Sequence, residues 1–207
     1  MAKNKFFSNI WFRCITVLLI ISCCSGALLA VLNDVLYVSP EERTARAIKQ
    51  VYGEEKQYET IIDVDFNDSP IEYEEYGKIN KVFLIGDKQS GVFDYLIQSV
   101  GYKGYKNGTV TLWVQIQINQ NSKKINSVTY ASGDKQTLMS KFTQEYYDFF
   151  SNDFIEEIER GLRFEPFGDS EQIGHPNTGA TKSATAVCNA INAVIEYAWV
   201  DNFMEGK

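Results

Sequence analysis

The sequence predicts an α+β protein in which a single N-terminal transmembrane helix is followed by an antiparallel sheet with packed helices. Three observations predict this class. An uncharged apolar run occupies residues 14–32. Segments of β character, separated by short turns, follow one another between residues 81 and 131. Two later stretches repeat apolar residues at helical spacing. The 207 residues suffice for one domain of ordinary size with a membrane appendage.

The N-terminal apolar run predicts a transmembrane helix. As a helix it would span about 28 Å, close to the hydrocarbon thickness of a bilayer. Basic residues precede it and acidic residues follow it, so the positive-inside rule places the N-terminus in the cytoplasm. The charges are Lys3, Lys5 and Arg13 before the run and Asp34, Glu41 and Glu42 after it. The predicted segments are a cytoplasmic tail at 1–13, a transmembrane helix at 14–36, a juxtamembrane helix at 37–60 and an extracytoplasmic domain at 61–207.

Two other interpretations of the run remain open. A cleaved signal peptide needs a shorter apolar region, whereas this one continues past "SCCSG" to Leu32. A lipoprotein signal would read "LIISC" as a loose lipobox and make Cys23 the lipidated residue. The length of the run favours an uncleaved single-span anchor.

The first elements after the membrane run are a short helix and an acidic stretch. Ser39 is predicted to cap the helix, with Pro40 at its first position, Glu42 completing a capping box and Gly53 ending it. The segment "IIDVDF", residues 61–66, is compatible with a strand. The stretch that follows, residues 68–77, is predicted to be a solvated acidic surface.

Four segments then predict an antiparallel sheet. They are "KVFLIG" (81–86), "VFDYLIQSV" (92–100), "TVTLWVQIQI" (109–118) and "INSVTYA" (125–131). The third alternates most regularly and places Val110, Leu112, Val114, Ile116 and Ile118 on one face. Short turns between the segments favour hairpins and a sheet with one buried face.

Two helices are predicted to follow the sheet. Apolar residues recur at three- and four-residue steps over residues 143–162, which predicts one amphipathic helix. A last helix is predicted after Thr181, with an apolar stripe formed by Val187, Ile191, Val194 or Ile195, and Ala198.

Composition excludes several classes of function. A net charge of −7 gives nucleic-acid binding no electrostatic support. One histidine, no CxxC pair and a single cysteine beyond the apolar run argue against zinc, iron–sulfur and disulfide sites. A catalytic triad of His175 with Thr181 or Ser183 is not supported, because no nucleophile elbow is present.

The stretch "HPNTGATKSATAVCNAINAV", residues 175–194, carries the clearest chemistry. Thr178 to Thr181 lie where the last helix begins, and the first-turn N–H groups of a helix favour an anion. Gly179 and Ala180 leave room for a phosphate to approach the backbone. Local physics alone favours a simple helix cap over a phosphate site.

The same stretch resembles the flavinylation motif of the FMN-binding domain in the RnfG and NqrC subunits of ion-translocating oxidoreductases. That motif is Asp-x-x-Ser/Thr-Gly-Ala-Thr, and a flavin transferase esterifies its last threonine to the FMN phosphate. The resemblance extends in order along the chain, from "ISCCSGALLAVLND" and "EERTARAIKQVYG" through the strand–turn–strand segments to "SATAVCNAINAV". The motif is the only specific part of this resemblance.

The resemblance implies a role for each motif residue. Thr181 is the threonine that would carry covalent FMN, and the turn around its phosphate would be formed by Thr178, Gly179 and Ala180. The hydroxyls of Ser183 and Thr185 would hydrogen-bond the phosphate, and they are also the alternative acceptors of the flavin.

Two positions depart from the family pattern. His175 stands where the motif has its leading aspartate. The family's Thr-Pro-Gly-Leu-Gly loop corresponds to "DKQTLMSKF", which keeps Thr137 and Leu138 as residues near the flavin ring and lacks both glycines.

The implied function is a membrane-anchored flavoprotein that relays electrons within an Rnf-type ferredoxin:NAD oxidoreductase. The implied partners are a flavin transferase and the other membrane subunits of such a complex, and not nucleic acid. Two alternatives remain: a flavin-free structural or interaction subunit with the same fold, and a flavinylated surface lipoprotein.

Overall fold

The computed structural model describes residues 10–87, 89, 91–119, 122–167, 172–175 and 178–201. The chain divides into two compact units, residues 1–43 and 44–207. Residues 1–9 of the predicted cytoplasmic tail lie outside the described residues.

The first unit contains helix α1, Ile10–Leu36, which begins before the predicted start at Cys14. Its segment Ile10–Asn33 is long and apolar enough to cross a membrane, and within the described residues it is the one helix that is. The apolar side chains of this segment are exposed. Exposure of such a surface suits a lipid environment rather than water.

Helix α2, Pro40–Tyr52, begins as the sequence predicts. The Ser39 hydroxyl accepts the Glu42 backbone N–H at 3.1 Å, so the predicted cap is confirmed. The helix lies within the predicted juxtamembrane segment, residues 37–60, which also contains the start of the first strand.

The second unit is built on an antiparallel sheet, as predicted. The strands are β1 (Tyr58–Asp63), β2 (Ile71–Tyr73), β3 (Gly77–Ile85), β4 (Val92–Gly101), β5 (Val110–Asn119) and β6 (Ser122–Gly133). Their spatial order is β1-β3-β4-β5-β6, and β2 pairs with the beginning of β3. Strands β3 to β6 follow one another in both sequence and space, which is the meander that short turns produce.

The acidic region before β3 differs from the prediction. Strand β1 ends at Asp63, and residues 64–66 form a 3₁₀ turn instead of continuing the strand. The Asp63 carboxylate accepts the Asp65 N–H at 3.0 Å, and Asn67 is left-handed at φ 76°, so side-chain bonding within the chain ends the strand. The predicted solvated surface contains β2, whose Ile71 and Tyr73 are half-buried against the core.

The sheet is buried on both faces, so the prediction of one buried face is wrong. The predicted stripe on β5 does face the main core: Val110, Leu112, Val114 and Ile116 are buried and Ile118 is half-buried. The second face carries a smaller buried cluster, which α2 covers. Its members are Phe83 and Ile85 of β3, Leu96 of β4, Trp113 of β5 and Ile48 of α2.

The predicted helix over residues 143–162 is broken. It consists of α3 (Gln144–Asp148), a 3₁₀ turn at 149–151 and α4 (Ile155–Glu159). In one continuous helix, Phe149 and Phe154 would point roughly 140° apart. Their rings instead lie 5.1 Å apart, and both contact Phe164. Extended backbone at Asn152, with ψ 167°, makes this aromatic packing possible.

The last helix, α5, covers Thr181–Ile195 and continues into a π-helical turn over residues 196–200. It packs against β4 and β5. Ser183, Ala184 and every residue from Ala186 to Ile195 are buried. The predicted apolar stripe is therefore inside the protein, but the helix is buried on nearly all sides rather than amphipathic.

Candidate functional site

The predicted phosphate turn lies directly before α5. The Thr178 hydroxyl accepts the Ala180 N–H at 3.2 Å, which closes a short side-chain turn. Gly179 has φ +70°, a left-handed conformation that favours glycine. Ala180 occupies the cap position of α5, and no side chain caps the helix there. The first turn of α5 thus keeps its N–H groups available to an anion.

The hydroxyl groups around this turn are in different environments. The Ser183 hydroxyl is buried and donates to Gln136 Oε1 at 2.7 Å. The Thr185 hydroxyl donates to the Thr181 carbonyl oxygen at 3.0 Å, back along the helix. Thr181 is exposed, and within the described part of the chain its hydroxyl forms no hydrogen bond. Of these three predicted acceptors, Thr181 has the most accessible oxygen.

Two loops of the sheet lie beside the turn. We call residues 101–108, after β4, the glycine loop, and residues 133–142, after β6, the Gln136 loop. Gln136 joins both loops to α5, because its Oε1 accepts the Tyr105 N–H at 3.2 Å as well as the Ser183 hydroxyl. A second tie comes from Asn189, whose side-chain amide donates to the Tyr102 carbonyl oxygen at 3.0 Å.

Thr137 and Leu138, the predicted ring-side residues, lie in the Gln136 loop and are exposed. The structure brings this loop to the turn. The hydrogen bond from this loop to α5 is made by Gln136, and the residue placed against the turn is Lys141. A Cβ atom added to Gly179 would lie 3.3 Å from the Lys141 ammonium nitrogen.

The surroundings of the turn are basic although the protein is acidic. The glycine loop, the Gln136 loop and residues 178–185 together carry one acidic residue, Asp134, against five lysines: Lys103, Lys106, Lys135, Lys141 and Lys182. The protein as a whole has a net charge of −7. This local excess of positive charge favours an anionic ligand at the start of α5.

His175 ends a short strand that leads towards the turn. Strand β8 (Ile173–His175) pairs in parallel with β7 (Phe164–Pro166), and His175 lies opposite Pro166. Asn192 of α5 holds β7 through two bonds of 2.9 Å, one to the Phe164 N–H and one to its carbonyl oxygen. The backbone at His175 is thus connected to α5 through β7.

Sequence reasoning did not identify Gln136, Lys141 or Asn189 as part of this site. Gln136 and Ser183 are 47 positions apart, and no local pattern indicates that they pair. The one available signal was position: Gln136 directly precedes Thr137 in the loop that the resemblance singled out.

Other chemistry is limited in the described residues. They contain no group of three or more histidine, cysteine, aspartate or glutamate side chains arranged to hold a metal ion. Cys188 is buried in the core, and burial raises the pKa of its thiol. Such a thiol is unreactive in the folded protein.

The fold and site define an α+β domain with an uncapped, locally basic helix N-terminus, and the described residues include one candidate membrane span. No protein-family model matches the chain, and no curated protein matches it.

Proposed function

We propose that the protein is a membrane-anchored flavoprotein electron carrier with FMN attached through its phosphate to Thr181. The observation that carries this proposal is the start of α5, where an exposed threonine with an unbonded hydroxyl stands at a helix N-terminus without a side-chain cap. A phosphate ester on Thr181 would lie beside the first-turn N–H groups, which stabilise negative charge.

The surrounding residues fit such a phosphate. Gly179 has no side chain that would obstruct a ligand, and the Lys141 ammonium lies close to it. Lys182, in the first turn of α5, is exposed and adds a second positive charge. Thr178 holds the turn through its bond to Ala180. These residues would bind and orient the phosphate.

Hydrogen bonding favours Thr181 over the other two acceptors. Ser183 is 4% exposed and its hydroxyl is bonded to Gln136, while the Thr185 hydroxyl is bonded to the helix backbone. An amide or backbone carbonyl oxygen is too weak a base to take the proton that a hydroxyl must lose when it attacks phosphorus. Among the described residues the Thr181 hydroxyl has no such acceptor, so its proton can pass to a base of the transferase.

Attachment would require a flavin transferase and an activated FMN donor such as FAD. In that reaction the Thr181 oxygen would form a bond to the FMN phosphorus, its proton would pass to a base of the transferase, and the pyrophosphate bond of FAD would break with AMP as the leaving group. The ester keeps the cofactor with the protein outside the cytoplasm. Bound FMN supplies one- and two-electron redox chemistry, and the protein holds and orients it.

The proposed membrane anchor is helix α1. The apolar segment of this helix is long enough to cross a bilayer, and basic residues precede it while acidic residues follow it. We infer a cytoplasmic N-terminus and an extracytoplasmic flavin domain. Gly26 lies in the span and would let another helix approach closely, as in a subunit of an Rnf-type complex.

In-gel flavin fluorescence tests the proposal. The full chain, co-expressed with its transferase, is expected to give a fluorescent band on a denaturing gel. Thr181→Ala is expected to abolish the band and Thr181→Ser to retain it. Thr60→Ala, which changes an exposed threonine on β1, is the matched control and should leave the band unchanged.

Each other outcome leads to a different conclusion. A band in Thr181→Ala would move attachment to Ser183 or Thr185. A colourless, stably folded protein that still copurifies with membrane partners would support a flavin-free structural subunit, which His175 in place of the motif aspartate favours. Loss of residues 1–22 with a diacylglycerol on Cys23 in the intact mass would instead support the lipoprotein.

A further inference from the structure

The side-chain amide of Gln136 joins the three segments that surround the attachment turn. Its Oε1 accepts from the Ser183 hydroxyl at 2.7 Å and from the Tyr105 N–H at 3.2 Å. Its Nε2 donates to the Asp134 carbonyl oxygen at 2.9 Å. One side chain therefore connects the first turn of α5, the glycine loop and its own loop.

The orientation of this amide is determined by its backbone partners. The Tyr105 N–H can only donate and the Asp134 carbonyl can only accept, so Oε1 must face Tyr105 and Nε2 must face Asp134. The Ser183 hydroxyl, which also faces Oε1, must then act as donor. Its proton is committed to Gln136, so the hydroxyl is not available for deprotonation by another group.

The glycine loop is shaped around the Gln136 amide. A Cβ atom on Gly104 would lie 2.6 Å from the Gly108 carbonyl oxygen, and one on Gly108 would overlap the Asp134 carbonyl oxygen. These backbone atoms cannot move aside as a flexible side chain can, so each position has to lack a side chain. Both Cβ atoms would also lie within 2.7 Å of Gln136 Nε2. The two glycines allow the loop backbone to close over the amide.

We propose that Gln136 is a positioning residue that makes flavin attachment specific for Thr181. It does so by holding the Ser183 hydroxyl in a partly buried hydrogen bond and by fixing the first turn of α5 against the glycine loop. The inference rests on the proposed function, because it concerns the same attachment site.

Helix geometry explains why this arrangement is selective. Two residues along a helix correspond to a rotation of roughly 200°, so Thr181 and Ser183 point to nearly opposite sides of the first turn. The burial pattern follows this geometry, because Thr181 is exposed and Ser183 is buried. While Gln136 holds Ser183 inward, only the threonine presents its oxygen to a transferase.

The test compares flavin attachment sites by peptide mass mapping in the full chain, co-expressed with its transferase. In the Thr181→Ala background, adding Gln136→Ala is expected to raise flavin on Ser183 by about tenfold, the factor for loss of one hydrogen bond. Gln136→Glu keeps an acceptor for Ser183 and Tyr105, so it should show no such rise. Gln117→Ala, at the far end of β5, is the matched control.

Amide hydrogen exchange gives a second readout that needs no flavin. In the peptide covering residues 101–108, Gln136→Ala is expected to speed exchange of the Tyr105 amide by about tenfold. Gln136→Glu and Gln117→Ala should leave that rate unchanged. Equal exchange in all four proteins would overturn the positioning role.

The outcomes separate the two proposals. If the unsubstituted protein carries no flavin, the proposed function fails and this inference fails with it. If it carries flavin on Thr181, but Thr181→Ala with Gln136→Ala shows no flavin on Ser183, this inference alone is wrong. A thermal melt would show whether the Gln136→Ala protein is misfolded. In that case the Gln136→Glu variant in the Thr181→Ala background decides, because increased flavin on Ser183 in that protein would refute the positioning role.

Discussion

Replacing Lys81 by methionine should strongly destabilise the second unit, residues 44–207. The Lys81 ammonium lies 2.8 Å from Asp63 Oδ1 and 2.7 Å from Asp65 Oδ2, and the Lys81 and Asp63 side chains are 8% and 1% exposed. Asp63 would keep a buried carboxylate without its counter-charge. Breaking a buried ion pair on one side costs about 3–5 kcal/mol. We expect Lys81→Met to lower the free energy of unfolding by that amount.

Local structure adds to the effect. Asp63 also receives the Asp65 N–H, and its own N–H donates to Asp68 Oδ2 at 2.8 Å. Three carboxylates therefore meet in the turn after β1, with Lys81 as the cation that bonds two of them. Without Lys81 the repulsion among them acts directly on the end of β1.

Urea titration in mild detergent, followed by tryptophan fluorescence, measures the effect, because Trp113 is buried in the sheet. Lys78→Met is the matched control: Lys78 is half-buried on the same strand, 3.9 Å from Glu72, and its pair should contribute less than about 1 kcal/mol. Adding Asp63→Asn to Lys81→Met should recover part of the loss, because the uncompensated charge is removed. The reasoning would be refuted if Lys81→Met and Lys78→Met were equally stable.

Three further predictions concern Asn192, Tyr102 and Cys188. Asn192→Ala leaves the Phe164 N–H and carbonyl without partners, and should cost about 2–5 kcal/mol in the same titration; a loss below about 1 kcal/mol would contradict it. Burial, and then the bond to Glu72, raises the pKa of Tyr102 to about 12. The folded state thus keeps a proton that the unfolded chain loses near its ordinary pKa of 10.0, so stability should fall as pH rises between these values. Tyr102→Phe should make that fall shallower, which urea midpoints at several pH values would measure. The Cys188 thiol, its pKa raised by burial, should resist iodoacetamide at pH near 8 until urea unfolds the domain; fast labelling of folded protein would contradict its placement.

Local sequence signals predicted the elements whose causes are local. The Ser39 cap depends on residues three positions apart, and the alternation along β5 depends on the pleat of one strand. The turn at Thr178 to Thr181 was also recognisable from neighbouring residues.

Features that depend on distant packing were not predictable in this way. The helical period over residues 143–162 is regular, yet the segment breaks because Phe149 and Phe154 both pack on Phe164, which lies outside it. Likewise, only the tertiary position of Ile48 shows that the second face of the sheet is covered. Gln136 belongs to the same class, because its partner Ser183 comes from another element.

The polar residues of α5 explain how its N-terminus can remain without a cap. Most buried side chains of α5 are alanine, valine and isoleucine, which form no directional bonds. Ser183, Asn189 and Asn192 recur at multiples of three residues, and each bonds a different partner: Gln136, the Tyr102 carbonyl and the Phe164 backbone.

Each of these bonds is lost if the helix turns or shifts, and a buried polar group left unpaired costs about 1–3 kcal/mol. The bonds therefore set the register of α5 from its sides. A cap at Ala180 is not needed to fix the helix, so its first-turn N–H groups and the Thr181 hydroxyl can serve a ligand instead of the fold.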